Sequence, residues 1–161
     1  MDFNIIKDDD LSGNKAKIYS IRGKGKVQTY LEQFVSDNLD KYPQEVGNIL
    51  QKLHTMGHET GCEHNLFKHY EGKGGDGVVC LKDDSGRFRL YCMYFGESLV
   101  VCGSGGRKDL SIRAYQEDEV LDQAAQNMKD VAAVINRLLQ KGYMEIEKDG
   151  TIINYLEEDY D

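Results

Sequence analysis

The sequence predicts a single α+β domain over residues 1–161, with a three-stranded antiparallel meander and helices packed mainly on one face of the sheet. Residues 87–95 alternate with the period of a strand, which places Arg89, Tyr91, Met93 and Phe95 on the face opposite Phe88, Leu90, Cys92 and Tyr94. Two segments before them and one long segment after them repeat apolar residues at helical spacing. The opposite face of the sheet is expected to stay open, and polar chemistry is expected there.

The N-terminal part is predicted to hold one strand and two helices. Residues 17–22 alternate as a strand that Gly23 and Gly25 end. Pro43 suits the first turn of the second helix, and Gly57 is expected to end that helix in the left-handed conformation. The apolar stripe of the first helix consists of Val27, Tyr30, Leu31, Phe34, Val35 and Leu39.

The C-terminal part is predicted to begin with a long polar loop over residues 57–77. Strands follow near residues 77–81, 87–95 and 98–103, and residues 103–108, GSGGRK, are expected to form a basic glycine-rich turn. A long amphipathic helix lies within 116–142, and residues 143–161 form an acidic hairpin and tail. Residues 15–115 are therefore the predicted core of the domain.

Charge is distributed unevenly along the chain. The formal net charge is -8, yet residues 15–115 hold 15 Lys and Arg against 12 Asp and Glu. Residues 1–14 carry a net -3, and residues 116–161 carry a net -8. With no apolar run of membrane-spanning length and no secretion-type start, we expect a cytoplasmic protein with no membrane partner.

The chain has four cysteines, and four histidines that fall between residues 54 and 69. We interpret Cys62, Cys80, Cys92 and Cys102 as reduced thiols, because three of them lie in apolar runs and no CxxC pair exists. A metal site built from His54, His58, Cys62 and His64 is a minor alternative, since Gly57 between the first two histidines is expected to end the helix. We therefore predict no metal and no other cofactor.

The glycine run at residues 103–108 does not match a nucleotide-binding loop. It lacks the GxxxxGK[ST] spacing of such loops and no helix follows it directly. Exposed backbone amides in such a turn could still hold a single phosphate. Because the spacing and the following helix are both missing, we expect no nucleotide cofactor.

The order of elements, together with GDGVVCL, RFRLYCMYFG and GSGGRK at residues 76–108, resembles the RelE/ParE superfamily of bacterial toxins. Within it the chain is similar to the HigB-like, phage-derived branch. The similarity covers about residues 15–140 as an order of elements and is specific between Asp76 and Tyr115. It implies a RelE-like fold and the toxin component of a type II toxin-antitoxin system.

The resemblance further implies a metal-independent mRNA endonuclease that acts on the ribosome, with RNA and a cognate antitoxin protein as partners. In that chemistry the ribose 2′-hydroxyl attacks the adjacent phosphate, so the site needs proton carriers and cations. Arg89, Lys108 and Tyr115 match the family's catalytic positions, and Arg107 and Arg113 match positions that contact RNA phosphates. No residue is assigned as general acid or base.

Three alternatives stay open at this point. The acidic pI near 5.0 is unusual for an RNA-cleaving toxin and favours a catalytically inactive binding or regulatory protein on the same fold. Arg89 could also be an ordinary strand residue or an ion-pair partner of Glu97. Finally, residues 116–161 could fold over the basic face and mask it.

Overall fold

The computed structural model describes residues 2–68, 77–108 and 114–156, and for residues 114–118 it gives the backbone alone. It confirms the α+β class: helices lie on both sides of a mixed six-stranded sheet, and a separate two-stranded hairpin follows. No helix in this part of the chain has the length and apolar character that crossing a bilayer requires.

The sheet has the spatial order β1-β2-β6-β5-β4-β3. All neighbouring strands are antiparallel except β2 and β6, which pair in parallel from Lys17 opposite Leu99 to Ser20 opposite Cys102. Its strands are β1 (Phe3–Lys7), β2 (Lys17–Gly23), β3 (Phe67–Lys68), β4 (Val79–Lys82), β5 (Phe88–Phe95) and β6 (Leu99–Arg107).

The helices are α1 (Tyr30–Asn38), α2 (Pro43–Thr55) and α3 (Ala114–Gln140), and the hairpin strands are β7 (Met144–Ile146) and β8 (Ile152–Asn154). Helix α1 begins with a capping box, in which Thr29 accepts from the Glu32 amide and Glu32 accepts from the Thr29 amide. Because the helix starts there, Val27, which was predicted to belong to the apolar stripe, lies outside the helix and is 91% exposed.

Two hydrophobic cores sandwich the sheet. On one face, α1 and α2 pack Phe34 and Leu53 against the β5 side chains Phe88 and Leu90. On the other face, buried side chains of α3, among them Met128, pack in a second core with the β5 side chains Tyr91 and Met93. The expectation of helices mainly on one face and an open opposite face is therefore wrong: α3 is amphipathic along its length and buries its apolar stripe there.

The glycine-rich segment 103–106 is strand, not an exposed turn. Strand β6 continues through it to Arg107, with a bulge where Leu90 pairs with Gly105 but Cys92 pairs with Cys102. A Cβ at Gly105 would lie 1.9 Å from the Arg89 carbonyl oxygen, and one at Gly103 would lie 2.8 Å from the Met128 sulfur. These glycines allow close approach of a neighbouring strand and of α3, which explains their presence inside a strand.

Gly57 does not end α2, contrary to the prediction. It lies in a π-helical turn, Met56–Thr60, that continues α2, and the chain leaves this turn at Gly61 with a φ of 78°. A Cβ at Gly57 would fall 1.9 Å from the Leu11 carbonyl oxygen, and its own carbonyl accepts from the amides of Lys15 and Ala16. The glycine serves close packing against the β1–β2 connection.

Candidate nucleic-acid interface

Arg89, the central predicted catalytic residue, lies near the start of β5 on the face that α3 covers. It is 8% exposed and pairs across the strands with Gly106. A Cβ at Gly106 would lie 3.4 Å from Val120 and 3.6 Å from Leu121, so the N-terminal half of α3 packs directly beside Arg89. The guanidinium is thus enclosed between the sheet and α3.

Arg107, the predicted phosphate contact at the end of β6, lies on the opposite face of the sheet from Arg89. It pairs with Phe88, and its guanidinium carbon lies 5.0 Å from the centre of the Tyr42 ring. One guanidinium nitrogen donates to the Tyr42 hydroxyl. Since directly opposed residues of an antiparallel pair share a face, the structure does not bring Arg89 and Arg107 together.

Tyr42 precedes α2 and brings a further cation to Arg107. The Lys41 ammonium lies 5.7 Å from the centre of the Tyr42 ring. The centres of the Tyr42 and Phe88 rings lie 5.0 Å apart, and the two ring planes are inclined at 60°. Both cations therefore sit within cation–π range of one ring. This arrangement fixes Arg107 and Lys41 at the same end of the sheet.

Two more cations lie at this end. The Lys108 amide donates to the Arg87 carbonyl, which places Lys108, just after β6, beside the exposed Arg87, just before β5. We call the set Lys41, Arg87, Arg107 and Lys108 the cationic end. A surface of this kind neutralises nucleic-acid phosphates without reading their sequence.

Two carboxylates in the neighbouring β4–β5 turn already have cationic or amide partners. Buried Asp83 accepts from the Phe88 amide at 2.8 Å and from the hydroxyl of Ser85 at 2.5 Å. Asp84 forms an ion pair with Lys52 at 2.9 Å, and the hydrogen bond from Lys52 lowers the pKa of the Asp84 carboxyl. Asp83 therefore binds groups within the turn, and Asp84 connects the turn to α2.

The remaining predicted residues are placed only in part. Arg113 lies outside the described residues, and Tyr115 falls in the first turn of α3, where only the backbone is described. Their predicted roles therefore stay predictions, as do those of Arg89, Arg107 and Lys108.

The histidine segment forms packing contacts. The His54 and His58 rings stack with their centres 4.1 Å apart, and His58 Nε2 forms a hydrogen bond with the Asp10 carbonyl oxygen. The His64 ring packs on Tyr94, with the ring centres 4.8 Å apart. Among residues 2–68, 77–108 and 114–156, no group of three or more His, Cys, Asp or Glu side chains is arranged to hold a metal ion.

The cysteine side chains are free thiols, as predicted, and all four are buried. Burial raises the pKa of Cys62 to about 12, with the charge of Glu97 adding to the effect. Burial likewise raises the pKa of Cys92, which pairs with Cys102 across the strands. Thiols of this kind are poor nucleophiles at neutral pH, so the cysteines do not suggest thiol catalysis.

Sequence reasoning missed Lys41 and Tyr42. A tyrosine before a proline at a helix start gives no functional signal by itself, and Tyr42 lies 65 positions from Arg107 in the sequence.

Comparison of the chain with protein-family models, with curated proteins and with solved structures gives no match.

Proposed function

We propose that this chain binds single-stranded RNA through its cationic end, as the toxin component of a type II toxin-antitoxin pair. The observation that carries the proposal is the gathering of four cations at one end of the sheet: Arg107 and Lys41 lie over the Tyr42 ring, and Lys108 and Arg87 are joined by a backbone hydrogen bond beside Arg107. Two of these residues have roles that the RelE-like resemblance implies: Arg107 as an RNA-phosphate contact and Lys108 as a catalytic residue. The net charge of -8 does not prevent this, because short-range phosphate contacts depend on local charge at physiological salt.

RNA binding is tested with a fluorescent single-stranded oligonucleotide of roughly 12 nucleotides, titrated at several salt concentrations. Four phosphate contacts would give a slope of log affinity against log salt of about -3, since each contributes about -0.7 on a single strand. The double variant Arg107→Ala/Lys108→Ala should weaken binding and reduce the slope to about half.

The matched control is Lys15→Ala/Lys148→Ala, which removes two exposed cations, one just before β2 and one between β7 and β8, at the other end of the sheet. This control should keep the wild-type slope. Equal losses in both double variants would show that binding depends on overall charge, and the proposed interface would then be wrong.

A catalytically inactive RNA-binding or regulatory protein is the second candidate, favoured by the burial of Arg89 beneath α3. Expression in bacteria separates the two candidates. Growth arrest with transcript cleavage by the wild type, lost in Arg107→Ala/Lys108→Ala, supports the toxin. Harmless expression of a chain that still binds RNA supports the inactive protein.

Arg89→Ala completes the test of cleavage, with a thermal melt to establish that the variant folds. A folded Arg89→Ala variant that binds RNA but no longer cuts transcripts would support a catalytic role for Arg89. Wild-type cleavage by that variant would assign Arg89 a structural role.

A cognate antitoxin is part of the toxin proposal, and co-purification with the product of an adjacent gene would test it.

A further inference from the structure

An apolar groove lies on the α1–α2 side of the domain, away from the cationic end. Its floor consists of Leu11, Leu31, Val35 and Leu50, contributed by the β1–β2 connection, α1 and α2. Leu11 and Leu31 are almost completely buried, whereas Val35 and Leu50 are half-buried and reach the solvent. The groove has a volume of about 430 Å³, which is in the range of small-ligand and peptide side-chain pockets.

The rim of this groove is acidic. Asp8, Asp10 and Glu32 line it, and no lysine or arginine is among the described residues that do so. Asp8 is held by a hydrogen bond from the Leu11 amide at 2.9 Å, and Glu32 by one from the Thr29 amide at 2.8 Å. Two of the three carboxylates are therefore fixed in position by backbone amides before any partner arrives.

We propose that this groove docks a basic amphipathic helix of a partner protein. Apolar side chains one helical turn apart would cover Val35 and Leu50, and flanking lysines or arginines would face Asp10 and Glu32. Charge complementarity carries the choice of occupant: three carboxylates around an apolar floor attract a cationic helix and repel RNA.

The groove and the cationic end form independent surfaces. No residue of the cationic end lines the groove. Binding of a helix here is therefore separable from RNA binding, and the two proposals can fail separately.

The test uses the full chain and a designed peptide of roughly 16 residues, with leucine at i, i+3, i+4 and i+7 positions and lysine elsewhere. Calorimetry should detect binding of this peptide and measure its affinity. Methyl NMR should show that binding shifts the methyl signals of Leu11, Leu31, Val35 and Leu50. A peptide with glutamate in place of lysine, and a scrambled leucine-lysine peptide, should bind at least about tenfold more weakly.

Variants locate the binding on the protein. Leu50→Lys should weaken the peptide affinity at least about tenfold, and so should Asp10→Lys, which changes an exposed side chain and leaves the core intact. The matched control is Val120→Lys, which alters an exposed apolar residue on α3, across the sheet. It should leave the affinity unchanged.

Three outcomes would overturn the proposal. They are equal binding of the glutamate peptide, methyl shifts located outside the groove, and an affinity unchanged by both Leu50→Lys and Asp10→Lys. Sedimentation without peptide covers the remaining occupant: a dimer of wild type that Leu50→Lys abolishes would assign the groove to a second copy of the chain and also overturn the proposal.

Discussion

The buried Cys62 thiol should make the stability of this protein fall in alkaline solution. Cys62 is 3% exposed, its amide donates to the Glu97 carbonyl at 2.7 Å, and burial raises its thiol pKa from 9.0 to about 12. In the unfolded chain the thiol ionises first, so above pH 9 the folded state binds more protons than the unfolded state. The contribution to stability is complete below pH 9 and is lost as the pH rises toward 12.

A shift of three pKa units corresponds to a ceiling of ~4 kcal/mol, at 1.36 kcal/mol per unit. The side chain lies close beneath the surface, where solvent screens part of the cost of ionisation, so we expect about half of that ceiling. Between pH 9 and about pH 11 the free energy of unfolding should therefore fall by ~1–2 kcal/mol because of this one group.

Urea denaturation of the wild type and of Cys62→Ala, repeated at intervals between about pH 8 and about pH 11, measures this effect as the difference between two curves. The raised pKa of Tyr19 does not depend on Cys62 and cancels in the difference, whereas the part that the Cys62 charge adds to the raised pKa values of Cys92 and Tyr94 is included in it. The wild type should lose stability faster than the variant above pH 9. Parallel curves over the whole range would refute the reasoning.

Two further predictions concern the region around the candidate interface. Gly105→Ala places a Cβ 1.9 Å from the Arg89 carbonyl oxygen and should lower the free energy of unfolding by about 3 kcal/mol or more. The control Gly47→Ala lies in open space inside α2 and should raise the free energy of unfolding by about 0.5–1 kcal/mol. Thermal melts of the two variants measure the difference. Asp83→Ala removes the acceptor of the Phe88 amide and should cost about 1.5–3 kcal/mol in urea denaturation, while a loss under about 0.5 kcal/mol would contradict a structural role for that carboxylate.

Much of the fold could be predicted because its signals are local. The helical periods of α1, α2 and α3, the alternation in β5 and the Lys148-Asp149-Gly150 turn of the C-terminal hairpin depend on neighbouring residues, and the structure confirms each of these elements. The short edge strands β1 and β3 were missed, since five and two residues carry too little pattern to distinguish from loop.

The arrangement of the elements could not be predicted in the same way. Which face α3 covers depends on packing between segments far apart in the chain. The close approach of Arg89 and α3, which requires glycine inside β6, likewise cannot be read from neighbouring residues. At the candidate interface, alternation correctly assigned Arg89 to the face opposite Phe88. The bulge and the register of β6 then determined that Arg107 shares the face of Phe88 instead.

The parallel pairing of β2 with β6 has a consequence for synthesis of the chain. β2 pairs with β1 along one edge, but the partners of residues 17–20 along its other edge are residues 99–102 of β6, so β2, α1 and α2 leave the ribosome well before β6. Until β6 emerges, the apolar sides of these early elements have only each other and β1 to cover them, and such non-local closure is slow. Folding during translation should therefore depend on arrival of the segment beyond residue 99, and earlier truncation would leave an aggregation-prone fragment.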